Sequence, residues 1–192
     1  MARGRWCRIL GLSVSNVVFG GVFAGMRFIV DTMLGDVARW LRIMGYDTRY
    51  SRGYSDRELL SEAILTGRIL ITRDRGLYAK ARKASVKAVL LESTTIEERL
   101  AELSVKVGLE IRADPNVGRC PECNGVLERV SDKSVVKDRV PPLAYNTYDV
   151  FYACTVCGRV YWEGSHWDNI RRVVESSKRL VEEMRKAYRP RR

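Results

Sequence analysis

Between residues 26 and 111, apolar positions fall in short runs that alternate with stretches of helical spacing. Residues 27–30, RFIV, read as a strand ending at Asp31. In GDVARWLRIMGY, Val37, Trp40, Leu41 and Met44 stand at i, i+3, i+4 and i+7. That spacing gives one apolar helix face, and Gly45 supplies its C-terminal stop. YDTRYS (46–51) reads as a second strand. Ser55 with Glu58 three residues on is a capping box, Leu59, Leu60, Ala63 and Ile64 form the core side of the helix that follows, and Gly67 ends it. RILIT (68–72) is a third strand, which runs into Arg73 and Asp74, and VKAVLLE (86–92) is a fourth. Thr94 or Thr95 opens a helix with Ile96, Leu100, Leu103 and Val107 on one stripe. This alternation predicts an α/β fold, a parallel sheet flanked by helices.

At RADPN (112–116) the texture changes: Pro, Gly and Cys appear, and helical periodicity gives way to the β-rich runs VLERV, SVVKDRV and VFYACTV. The final stretch is helical again, with Ile170, Val174, Ser177, Val181, Met184 and Tyr188 stepping by four and three. Its expected partner is the α/β domain rather than a second chain. Residues 1–25 carry Arg3, Arg5 and Arg8, then an uncharged run from Ile9 to Gly25. A signal or anchor, an extra element, and a dispensable extension before a start at Met26 all fit that pattern; the extension is the expectation. The chain thus divides into 1–25, an α/β domain over 26–114, a small β-rich domain over 115–166, and a basic helix and tail over 167–192. No stable membrane association is expected.

Charge adds a direction. The 192 residues carry a formal +11, and residues 169–192 hold nine Lys/Arg against three Asp/Glu. Such a segment suits a polyanionic partner through phosphate contacts, or is simply a solvated helix. Four of the five cysteines form two CxxC pairs, with Cys7 left over. Paired CxxC without a wider cysteine framework fits metal binding in a reducing compartment, so a cytoplasmic location is expected. Phosphate-cradling GxxxxGK[ST] and GxGxxG loops and a GxSxG elbow are missing from the sequence, and the single histidine excludes a His-rich metal site.

Three groups of residues carry candidate chemistry. Asp31 and Asp74 lie at predicted strand tips, and Asp36 and Asp56 at helix starts. In open α/β sheets, ligands bind outside the carboxyl ends of the strands. Converging carboxylates repel unless a cation neutralises them, and hard oxygen ligands select Mg²⁺ or Mn²⁺. The alternative is that each caps its helix or complements its dipole; Glu62, one turn beyond Glu58, faces either way. Cys120, Cys123, Cys154 and Cys157, with Gly125 and Gly158 close behind, suit a tetrahedral structural Zn²⁺ site, against redox dithiols as the rival. His166 and Trp167, in Gly164-Ser165-His166-Trp167, are packed or capping residues, or contact an unpaired base.

Taken together, FIVDTMLGDVARWLRIMGYDT, SDRELL, ILITRD and CPEC…CTVCGRVYWEGSHW resemble the Mut-seven C-terminal RNase domain family, a PIN-like nuclease branch with an appended zinc ribbon, over about residues 26–170. The resemblance implies a PIN-like α/β fold and metal-dependent cleavage of RNA, expected to be single-stranded. It matches Asp31, Asp56 and Asp74 to the family's catalytic aspartates, with Thr72 and Arg73 as supporting groups and Asp36 as the candidate for an additional acidic ligand. It matches Cys120, Cys123, Cys154 and Cys157 to the ribbon's zinc ligands, and His166 and Trp167 to the family's G-S-H-W stretch. Two other readings stay open: a non-catalytic RNA-binding or ribosome-associated module, and a zinc-stabilised protein-interaction scaffold.

Overall fold

The computed structural model describes residues 25–187. The readings made on residues 1–24, Cys7 among them, and on Tyr188 lie outside the described residues. The chain alternates β1 (Arg27–Val30), α1 (Gly35–Ile43), β2 (Asp47–Arg49), α2 (Asp56–Thr66), β3 (Ile69–Thr72), α3 (Arg75–Lys83), β4 (Ala88–Leu90) and α4 (Ile96–Val107). The strands pair parallel in the order β2-β1-β3-β4.

The two-residue period of each strand sends side chains to opposite layers. Phe28, Val30 and Ile71 join one cluster with Val37, Leu41, Leu100 and Leu103. Ile29 and Leu70 join another with Leu59, Ala63, Leu77 and Ala81. Helices α1 and α4 therefore cover one face, and α2 and α3 the other. Capping boxes start α2 at Ser55 with Glu58, and α4 at Thr95 with Glu98; left-handed glycines Gly67 and Gly108 end both. Ile64 departs from the expected core side of α2: it is 58% exposed, and Leu65 beside it is exposed too. Leu59 and Ala63 already make the contact with the sheet, and Ile64 is rotated off that face.

After a turn that closes through an isolated bridge between Arg119 and Val126, a second sheet forms from β5 (Leu127–Arg129), β6 (Phe151–Cys154) and β7 (Val160–Trp162), antiparallel in that order. Between β5 and β6 stand a 3₁₀ helix (Lys133–Arg139) and α5 (Pro142–Thr147). The run SVVKDRV is thus helical, not the expected strand. Asp132 accepts from the Ser134 N–H at 2.9 Å and starts the turn. Val136 and Val140, four apart, point inward onto Phe151, while Val135 is exposed.

The chain ends in α6 (His166–Ala187), whose Val173, Val174 and Val181 enter the core on the side of α1 and α4. The long helix docks on the α/β domain, as its stripe predicted.

One arginine ties the two sheets together. Arg42 of α1 is 5% exposed. Its Nε donates to the Thr48 carbonyl at 3.0 Å, and one terminal nitrogen donates to the Pro121 and Glu122 carbonyls at 2.9 and 3.0 Å. Burial lowers its pKa, and Cys120, Cys123 and Glu122 pull the other way. Hydrogen bonds from a charged group contribute about 1.5–3 kcal/mol each, and orphaned acceptors add cost, so Arg42→Met is expected to destabilise the chain by about 3 kcal/mol or more. Urea denaturation measures this; a change within about 0.5 kcal/mol, the ordinary range for surface substitutions, would show that the bolt is dispensable.

Candidate functional site

Asp31 emerges where β1 leaves the sheet. Its N–H still bonds the Ile71 carbonyl at 2.9 Å, so the strand ladder fixes its backbone. Its side chain is nearly buried, at 7% exposure. The Thr72 hydroxyl donates to Oδ2 at 2.6 Å, and the Thr32 hydroxyl donates to Oδ1 at 3.2 Å. The same Thr72 oxygen accepts from the Asp74 N–H at 2.9 Å. One β-branched hydroxyl at the tip of β3 therefore couples the backbone of one aspartate to the carboxylate of the other. The Asp74 carboxylate accepts from the Leu77 N–H at 2.8 Å and caps α3. Arg73 between them is exposed.

The loop after Asp31 is pinned from β2's end. Tyr50 donates its hydroxyl to the Thr32 carbonyl at 2.9 Å. A Cβ at Gly35 would lie 2.6 Å from that hydroxyl oxygen, so only glycine leaves the tyrosine room.

The other two aspartates have cations of the protein beside them. Asp56, at the start of α2, pairs with Lys80 of α3 at 2.9 Å, and both are exposed. The hydrogen bond from this pair, then the charge of Asp56, raise the Lys80 pKa, with a further contribution from Asp74. Lys80 thus lies in the field of two of the candidate carboxylates. Asp36 of α1 pairs with Arg99 of α4 at 2.6 Å. Glu62 turns toward β2 and pairs with Arg49. Neither Lys80 nor Arg99 was marked by any sequence motif, because each meets its partner across 24 or 63 residues. Asp31 and Asp74 at neighbouring strand tips, and Asp56 after the loop that follows β2, all belong to the carboxyl end of the sheet. They do not close into a group of three whose oxygens lie within 4.8 Å of one another.

The four cysteines do close to that distance. Sγ of Cys123 and Cys154 are 3.4 Å apart, and those of Cys120 and Cys157 are 3.6 Å apart. A tetrahedron with Zn–S bonds of about 2.3 Å has edges of about 3.8 Å, so the four thiols fit a zinc ion. The two knuckles match. N–H groups of Asn124 and Gly158 bond back to the carbonyls of Cys120 and Cys154 at 2.9 and 3.0 Å, and both residues take positive φ, 68° and 73°. A Cβ on Gly125 would lie 2.7 Å from the Cys154 sulfur, so the first knuckle closes only over glycine. Burial pushes the Cys154 thiol up, but N–H donors of Cys157 and Val156 more than offset this and bring it to about 7. Burial pushes Cys123 to about 12. The Tyr161 hydroxyl lies 3.1 Å from the Cys120 sulfur.

Asn124 has a second task that sequence reasoning missed. Its Oδ1 accepts from the Thr48 N–H at 3.0 Å, and its Nδ2 donates to Asp47 at 2.7 Å. The knuckle is thereby stitched to the edge strand β2. The Cys-Asn-Gly order was the available signal, since asparagine is the usual non-glycine residue in the left-handed region.

His166 and Trp167 open α6. The His166 ring meets Trp162 edge-on, with centroids 6.3 Å apart, whereas Trp167 is buried. Among the described residues, no helix is long and apolar enough to cross a membrane.

No curated protein and no solved structure matches the chain. A family model, the Mut7-C RNAse domain, matches residues 26–174. That span takes in the four-stranded sheet with its aspartate-tipped strands, the four-cysteine ribbon and the first turns of α6. The chain therefore belongs to the Mut7-C RNAse domain family.

Proposed function

We propose that this chain is a Mg²⁺- or Mn²⁺-dependent ribonuclease that cleaves single-stranded RNA, with Asp31, Asp56 and Asp74 as its acidic centre. Membership of an RNase domain family supports nuclease chemistry. The observation that carries the residue assignment is the Thr72 hydroxyl, which locks Asp31 and Asp74 together at adjacent strand tips. The donor set is all oxygen, and Mg²⁺ is commonly held by one or two carboxylates with waters completing its shell. A third carboxylate at bonding distance is therefore not required. Such an ion supplies charge that polarises a phosphodiester and activates water. Asp31 keeps its orientation through Thr72 and Thr32. Lys80, beside Asp56, balances the charge of the acidic edge. Asp36 serves as a positioning group on Arg99 rather than as a ligand.

A non-catalytic RNA-binding module is the second reading. It is favoured by one observation: Asp36 and Asp56 already have cationic partners within the protein.

Labelled single-stranded RNA incubated with Mn²⁺ separates the two, using the full chain and its Asp74→Asn variant. Cleavage by the parent is expected, with a loss of about 100-fold or more in the variant, beyond the 10- to 100-fold typical of losing a group that merely supports a metal ligand. Equal cleavage by both overturns the assignment. Binding by both with cleavage by neither selects the second reading.

A further inference from the structure

A cavity of about 230 Å³ lies at the junction of the α/β domain, the ribbon and α6. It is separate from the aspartate edge. Its ribbon wall is aromatic: Tyr152, Tyr161 and Trp162. The start of α6 adds His166, Trp167 and Ile170, and α1 contributes Arg39. The volume falls below the roughly 300–1,000 Å³ of sites for drug-sized ligands and suits a single flat ring system.

We infer that this cavity holds one unstacked nucleobase of a bound RNA strand. Aromatic walls stack any base through its π-face, which gives binding without sequence readout. Charged groups line the cavity as well. Arg39 and Arg119 sit in the wall, and Glu122 links Arg39 to Arg159 at 2.9 and 3.6 Å. Charge complementarity selects an RNA strand as the occupant. The helix that supplies His166 and Ile170 carries Arg171, Arg172, Lys178, Arg179, Arg185 and Lys186 exposed. Arg171 pairs with Glu163 and Asp168 and Lys178 with Glu175, which leaves Arg172, Arg179, Arg185 and Lys186 without an acidic partner among the described residues. The strand's phosphates follow these cations while one base turns inward. The cavity exists only when the ribbon is docked, because Pro121 and Glu122 in its wall are the residues whose carbonyls Arg42 holds. The inference rests on RNA being the substrate, and it assigns the junction as the place where the strand is gripped.

The test is binding of a labelled single-stranded oligoribonucleotide by the full zinc-loaded chain, without added Mg²⁺ or Mn²⁺, against the same backbone carrying abasic sites. Stacking on aromatic side chains predicts a loss of about ten-fold in affinity for the abasic strand. Ile170→Trp, which fills the cavity from the partly exposed side of α6, should weaken the intact strand to the abasic level and leave the abasic strand unchanged. His166→Ala checks the mouth and should fall between the two. Equal affinity for intact and abasic strands overturns the cavity as a base site, while cleavage in a parallel Mn²⁺ reaction would still uphold the ribonuclease reading. Failure to bind or cleave either strand overturns both.

Discussion

Asp31→Asn is expected to abolish RNA cleavage while leaving the chain as stable as the parent, or more so. The side chain is nearly buried, and its described partners are two neutral hydroxyls, from Thr72 and Thr32. A carboxylate withdrawn from water without a cation is costly. The amide is isosteric: its oxygen accepts from Thr72, and its NH₂ donates to the Thr32 oxygen. Folding thus gains or breaks even, while the proposed metal site would lose its most enclosed anionic ligand. Even loss of a supporting group commonly costs 10- to 100-fold, so the expected fall in cleavage rate exceeds about 100-fold. Thermal unfolding supplies the independent readout. Mn²⁺ should raise the parent's midpoint, since a ligand that binds only the folded state stabilises it. It should not raise the variant's. Thr72→Val should retain part of the activity, because it removes the brace and keeps the charge. Undiminished cleavage by Asp31→Asn would sink the acidic centre outright.

The strands and caps of the α/β domain were legible because they are local. RFIV and ILIT are short apolar runs, and Ser55-Glu58 and Thr95-Glu98 satisfy orphan helix N–H groups within four residues. The cysteine pairs were legible because metal-ligand spacing is local as well. What failed depended on partners distant in the chain. Ile64 has helical spacing with Leu60, but which side of α2 meets the sheet is set by Leu59 and Ala63 against Ile29 and Leu70. The SVVKDRV run is β-favouring by composition, yet Asp132 caps a tight helical turn, and Val136 and Val140 bury together on Phe151 from that turn. Arg42 stands outside the apolar stripe of α1, and nothing local shows that it enters the ribbon interface. The candidate site divides the same way. Its aspartates could be named from strand ends and helix starts, but Lys80 and Arg99, which pair with Asp56 and Asp36, come from other helices.

Removing zinc is expected to unfold the ribbon while the four-stranded sheet remains. The ribbon's own apolar cluster is small: Val136, Val140 and Phe151, with a few partly buried neighbours. A core of that size does not hold a segment of some fifty residues, and scaffolds below about 70 residues generally lean on a metal or disulfides. Structural zinc contributes an apparent stabilisation on the order of 10 kcal/mol in comparable sites. The larger cluster draws its buried residues from 28–111 and 173–181, outside the ribbon, so it has no need of the metal. Chelation, or Cys154→Ser, should therefore make the chain protease-sensitive between residues 119 and 163 while leaving the sheet resistant. Trp162 would enter water, and tryptophan emission would shift to the red. The sheet should nevertheless melt earlier than in the zinc-loaded protein, because Arg42 and Asn124 cross the junction and Arg42 would lose two of its three carbonyl partners. Single-strand binding should fall with the ribbon, since the cavity at the junction opens. Metal analysis is expected to give one zinc per chain. A ribbon that stays protease-resistant after its metal is gone would mean that the cysteines are not what holds it, and the insertion between β5 and β6 would have to supply the stability instead.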